Sequence, residues 1–117
     1  MRLGSIHRHG DSRPLIARTW RAERAWDRMR GLLGRPALQP GEALLIDACS
    51  SVHTVGMRYA LDLAFVDAGE RIVGLRRRVA PLRMAASWRA SATLEMPAGE
   101  IDRLGLALGE RLQWRPE

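Results

Sequence analysis

The sequence predicts a mainly β (α+β) fold, a small single-domain β-barrel or sandwich with one helix near the N-terminus and a short helix near the C-terminus. Three observations carry that expectation. The chain has 117 residues, enough for one hydrophobic core and no more. Beyond residue 36, short apolar runs alternate with glycine or proline, the rhythm of strands and turns. Only one segment, before that point, shows apolar residues sustained at helical spacing.

Residues 1–14, basic and closed by Pro14, read as a flexible leader, and residues 15–117 as the compact domain. Leu15-Ile16-Ala17-Arg18 suits a short strand. Thr19 can act as an N-cap, its hydroxyl accepting from an orphan backbone N–H. From there Ala22, Ala25, Trp26, Met29, Leu32 and Leu33 fall into one apolar stripe, which Gly34 and Pro36 end. Residues 43–46, 61–66 and 71–75 read as strands. The last two are joined by Asp67-Ala68-Gly69-Glu70, where a type I turn with Gly69 in the left-handed conformation is expected. Residues 93–96 and 111–114 are later strands, with a short helix over 98–104 between them.

The formal charge of +6 is local. All 19 basic residues are arginine, and residues 1–35 hold nine of them against three acids. The remainder carries ten against ten, so basicity alone does not make nucleic acid the partner. The single cysteine, Cys49, cannot form an internal disulfide, which fits a reducing, cytoplasmic setting. No secretory-type apolar segment opens the chain. The longest stretch without Asp, Glu, Lys or Arg, residues 48–57, is far too short to span a bilayer.

Chemistry concentrates between Cys49 and Asp62, where a thiol, three aliphatic hydroxyls, an imidazole, a guanidinium and a carboxylate share fourteen positions. In extended chain, Cys49, Ser51 and His53 share one face, and Arg58, Asp62 and Ala64 another. Gly56 can bend the chain and bring the two sets together. Asp62, between Leu61 and Leu63, is expected to be buried and to need a partner, either Arg58 or the backbone N–H groups of a turn. A thiolate activated by His53 would need the four-residue spacing to be helical, whereas Ser50-Ser51-Val52-His53-Thr54-Val55 favours strand. Without paired cysteines no metal site is expected, and no cofactor. Arg76, Arg77 and Arg78, with Arg83 and Arg89 following, could contact an anion. Nucleic acid is disfavoured because only Trp88 offers an aromatic platform there, and a lid over the core suits that side chain better.

These segments resemble the domain of unknown function family 192, also called uncharacterised protein family 0127. The resemblance rests on Arg28-Met29-Arg30-Gly31-Leu32-Leu33-Gly34-Arg35 and on the central run from His53 to Asp67. Val79-Ala80-Pro81, the run from Ala92 to Gly99 and Gly105-Leu106-Ala107-Leu108-Gly109-Glu110 complete it. The resemblance implies a compact, mainly β domain with an early helix, and no reaction. The expected function is a small binding module for an unknown small molecule or protein, its site formed by His53, Thr54, Arg58, Asp62 and Trp88. The alternatives are an enzyme using Cys49 or His53 with Asp62, and an arginine-led binder of anions or nucleic acid.

Overall fold

The computed structural model describes residues 1–117. Seven strands form one sheet, in the order β6-β5-β8-β3-β2-β1-β9. They are β1 (Arg2–Arg8), β2 (Ile16–Ala22), β3 (Glu42–Asp47), β5 (Leu61–Val66), β6 (Ile72–Val79), β8 (Ala92–Pro97) and β9 (Leu112–Pro116). Two shorter strands, β4 (Ser51–His53) and β7 (Met84–Ala86), pair as a separate ribbon. Helices α1 (Ala25–Arg30) and α2 (Glu100–Leu104) are single short turns, so the protein is mainly β with two small helices, as the sequence predicts. No helix is long and apolar enough to cross a membrane.

The sheet is antiparallel except where β2 runs parallel to β3. It curls into half a barrel, and the starting ends of its two edge strands touch. Arg71 bridges to Arg111, and Leu112 N–H donates to the Glu70 carbonyl at 2.9 Å. Ile72 from one edge strand and Leu112 from the other therefore share the inner core with Ile6, Leu45, Leu94 and Ile101. The outer face carries a second core of Leu44, Ile46, Leu61, Leu63 and Phe65. It is covered by Leu32, Leu38, Val52 and Ala85 from the connections and the β4–β7 ribbon. The apolar runs Ala43 to Ile46 in β3 and Leu63 to Val66 in β5 follow from burial on both faces.

Four expectations fail here. The flexible leader is instead strand β1, paired with both β2 and β9, with Ile6 and His7 buried. Its arginines are not solvated freely: Arg2 pairs with Glu23 at 2.6 Å, and Arg8 with Glu110. The predicted helix forms over Ala25–Arg30, but its start from Thr19 is strand, because Arg18 to Ala22 pair with Glu42 to Ile46; a ladder in the middle of a sheet overrides local helix preference. Thr19 is a buried strand residue and caps nothing, while Trp26 and Met29 of the supposed core stripe are 68% and 75% exposed. In the 67–70 turn, Glu70 rather than Gly69 is left-handed (φ 67°). The cause is Asp67, whose Oδ1 accepts from both Gly69 N–H and Arg71 N–H and fixes the turn from its side chain.

Candidate functional site

Alternation along β5 and β8 decides where each carboxyl goes. Asp62 pairs with Met96 and faces the inner core; Leu63 pairs with Glu95, so Glu95 faces outward among Leu44, Ile46 and Leu63. Both carboxyls are buried, at 0% and 4% exposure, yet their surroundings differ.

Asp62 is satisfied. Its Oδ1 accepts from Arg78 N–H and its Oδ2 from Ile101 N–H, each at 2.9 Å. The second of these closes the first turn of α2, so the carboxylate fastens β6 and α2 onto β5. The backbone alternative is the one found; the Arg58 pairing is not. Gly56 does turn the chain (φ 87°), but Asp62 lies on the other face of the sheet from the β4 residues.

Glu95 has no hydrogen bond and no ion pair within the protein, and burial pushes its carboxyl up to about 7. Thr19 Oγ1 and Tyr59 Oη are the polar atoms sealed off without a partner; the Glu95 oxygens instead open into a cleft. Burial raises the Tyr59 phenol as well, against the opposing pull of the Leu38 backbone and with a smaller push from the nearby Glu95 carboxyl.

The cleft measures about 80 Å³ and lies between the Arg28–Leu33 segment and β4. Cys49, Ser51, His53, Met29 and Met57 line it above Glu95. Two glycines permit this approach. Gly31 adopts φ 54°, ψ −126°, a glycine conformation, and a Cβ there would stand 3.6 Å from Glu95 Oε1. A Cβ on Gly56 would come within 2.9 Å of Leu33 Cδ2. Larger hollows exist beside Arg58 and Tyr59 (about 430 Å³) and beside Trp20 and Leu38 (about 370 Å³), but Glu95 lines neither.

The sequence-predicted residues divide accordingly. His53 is exposed on β4 and lines the cleft. Thr54 is fully buried; its hydroxyl donates to the Ala80 carbonyl at 2.6 Å and accepts from Arg83 N–H at 2.9 Å, stapling the two halves of the ribbon. Arg58 is exposed and lines the neighbouring hollow with Tyr59. Trp88 is 92% exposed, so it is not a lid over the core. Cys49 donates from Sγ to the Ser51 carbonyl at 3.1 Å. Arg76, Arg77 and Arg78 lie exposed at the end of edge strand β6, with Arg77 paired to Asp102 at 3.0 Å. Glu95 is the residue that sequence reasoning missed.

A curled β-sheet with two small helices, carrying a small cleft over a buried carboxyl on its outer face, defines the class as a β-rich single-domain protein. The chain belongs to the DUF192 family, described as "Uncharacterized ACR, COG1430", whose model matches residues 6–114. A UPF0127 protein of Thermococcus sibiricus is 26% identical over 107 residues, covering 82% of this chain and 65% of that protein. The chain thus spans just under two thirds of that relative's length. Among solved structures, a candidate transcription regulator from Sinorhizobium meliloti 1021 superposes with a TM-score of 0.78 at 23% identity, covering 97% of this chain and 92% of that one. A protein of unknown function from Novosphingobium aromaticivorans DSM 12444 gives 0.76 at 18% identity, covering 96% and 84%. At these identities the likeness is one of fold, and the family has no established activity.

Proposed function

We propose that the protein is a small binding module whose site is the Glu95 cleft, and that its ligand presents a cation or a hydrogen-bond donor to that carboxyl. The observation that carries this reading is a carboxyl at 4% exposure, without a partner, opening into a cleft. A buried carboxylate without a partner is costly, and a ligand that supplies one recovers that cost as affinity. His53 stays in the site from the sequence reading, whereas Thr54 and Asp62 serve the scaffold. An enzyme combining Cys49 or His53 with Asp62 is disfavoured, since Asp62 lies across the sheet and both its oxygens hold backbone amides. The lone free cysteine suits a reducing, cytoplasmic setting.

The test is side-chain carboxyl NMR of the whole chain against ammonium, methylammonium and guanidinium. A saturable shift of the Glu95 signal by at least one of them, absent or weakened at least 10-fold in Glu95→Gln, is the expected result. If none of these moves Glu95, the cleft is not the binding site.

A further inference from the structure

Six of the eight exposed large apolar side chains, Trp26, Met29, Val55, Leu82, Met84 and Trp88, belong to α1 and to the ribbon and turns outside the outer core. Scattered singly they would need no explanation; gathered on one side they mark a contact surface. The β4–β7 ribbon and its turns carry four of them. Val52 and Ala85 face the core, so His53 and Met84, paired across the ladder, face away from it. At one end of the ribbon Val55 and Leu82 occupy adjoining turns, with Leu82 N–H donating to the Thr54 carbonyl at 3.3 Å. Trp88 stands just past the other end, where Ser87 N–H donates to the Ser50 carbonyl at 2.9 Å. Met29 reaches the same side from α1, since it lines the cleft with His53.

Leu82 is the most telling of these. Its backbone is left-handed (φ 63°), which a residue with a Cβ adopts only at a cost, and its side chain is 69% exposed. Glycine there would relieve the strain and the exposure at once. Charge is equally one-sided. Residues 28–41, 48–61 and 79–94, which build this layer, hold six arginines and no acid. Arg58, Arg83 and Arg89 are exposed and form no ion pair. The acids nearest the layer do not offset them, because Glu95 is buried and Asp27 pairs with Arg35 at 3.6 Å.

We propose that this face docks on an anionic lipid surface, with Val55, Leu82, Met84 and Trp88 entering the interfacial layer and the exposed arginines meeting lipid phosphates. The docking is independent of what the Glu95 cleft binds. Apolar tips set among arginines match a surface that is negative outside and hydrocarbon within. Tryptophan favours that boundary. The four apolar side chains line none of the clefts described above, so they offer a protein partner no pocket for an anchoring residue. Nucleic acid would leave Val55, Leu82 and Met84 without apolar contact, since single-stranded bases are met by aromatic platforms.

Flotation of the whole chain with vesicles of phosphatidylcholine containing phosphatidylglycerol, against vesicles of phosphatidylcholine alone, tests this. Binding to the anionic vesicles should be about 10-fold stronger and should weaken as salt rises. Leu82→Gly should unfold at a higher urea concentration than the parent yet bind about 5-fold less, opposite signs that a merely structural residue would not give. Trp88→Ala should fold as the parent does, bind about 10-fold less and lose the blue shift of tryptophan emission on binding. Replacing Arg58, Arg83 and Arg89 together by glutamine should weaken binding about 100-fold. If that triple variant loses binding while Leu82→Gly and Trp88→Ala keep it, the attraction is electrostatic alone and the proposal falls. It falls too if neither kind of vesicle binds or both bind equally. Self-association without lipid that Trp88→Ala abolishes would then give the face to a second copy of the chain, and retention on duplex DNA that is lost with the arginines would give it to nucleic acid.

Discussion

The two faces of the central sheet bury one carboxyl each on neighbouring strands, and they handle it in opposite ways. On the inner face Asp62 meets two backbone amides and becomes part of the frame, tying the end of β6 and the start of α2 to β5. On the outer face Glu95 meets none, and its cover is a glycine turn and a two-stranded ribbon rather than a helix end that brings N–H groups. Burial alone therefore does not mark function. What separates the two residues is whether the fold completes the hydrogen bonds that burial demands.

The sharpest way to break the comparison is to remove each carboxyl. Asp62→Ala strands the Arg78 and Ile101 amides and should destabilise the protein by about 3 kcal/mol, measured by urea unfolding. A loss below about 1 kcal/mol would mean that the inner carboxylate is no more structural than the outer one. Glu95→Gln should behave differently, because its effect depends on pH. The folded-state value of Glu95, about 7, lies above its usual 4.5, so the native protein holds a proton that the unfolded chain releases between those values. Stability should fall as pH rises from about 4.5 to about 7 and stay level above. The advantage of Glu95→Gln over the parent should grow across that window by roughly 3 kcal/mol and be flat outside it. A pH-independent difference would show that the carboxyl is hydrated or paired.

The strands of the core were legible because β3 and β5 carry apolar runs between glycine and proline, and β5 and β6 were read with the right pairing. Asp62 was legible too, since a charge flanked by Leu61 and Leu63 must be buried. Glu95 was not, for a physical reason. Leu94 and Met96 look like the core side of a strand with one wet face, which puts Glu95 in water. Only the continuous apolar run in neighbouring β3 hints that this sheet is covered on both sides. The first strand and the end of β2 were missed because their partners are distant in sequence, and pairing with β9 leaves no local trace in Arg2 to Arg8.

A further contrast concerns how each face is held. Gly31→Ala should cost about 2 kcal/mol through its backbone conformation, and its added methyl should narrow the cleft floor beside Glu95. On the ribbon, Thr54→Val removes one donor to Ala80 and one acceptor for Arg83 N–H, and should cost about 1 to 2 kcal/mol. That loss should loosen β4 against β7 and speed amide exchange there, while leaving β5 and β8 protected. Equal acceleration across both sheets would show that the ribbon is not a separate, weaker unit.

The smallest expected effect asks whether the arginines of β6 belong to the frame or to a surface. Arg78 contributes its backbone N–H to Asp62 from a left-handed conformation (φ 51°), at an irregularity in the β5–β6 pairing. Its side chain is exposed. If only the backbone matters, Arg78→Gly relieves the conformational strain and should stabilise the protein by up to about 1 kcal/mol, while Arg78→Ala is neutral within about 0.5 kcal/mol. Arg77→Ala should be equally mild, since its pair with Asp102 is half exposed. A loss above 1 kcal/mol in Arg78→Gly would give the guanidinium a structural role that the inner face does not otherwise need. Mild effects at both positions would instead leave these side chains free for an anion. In that case salt-dependent retention on a phosphate matrix should fall when Arg76, Arg77 and Arg78 are replaced together by alanine.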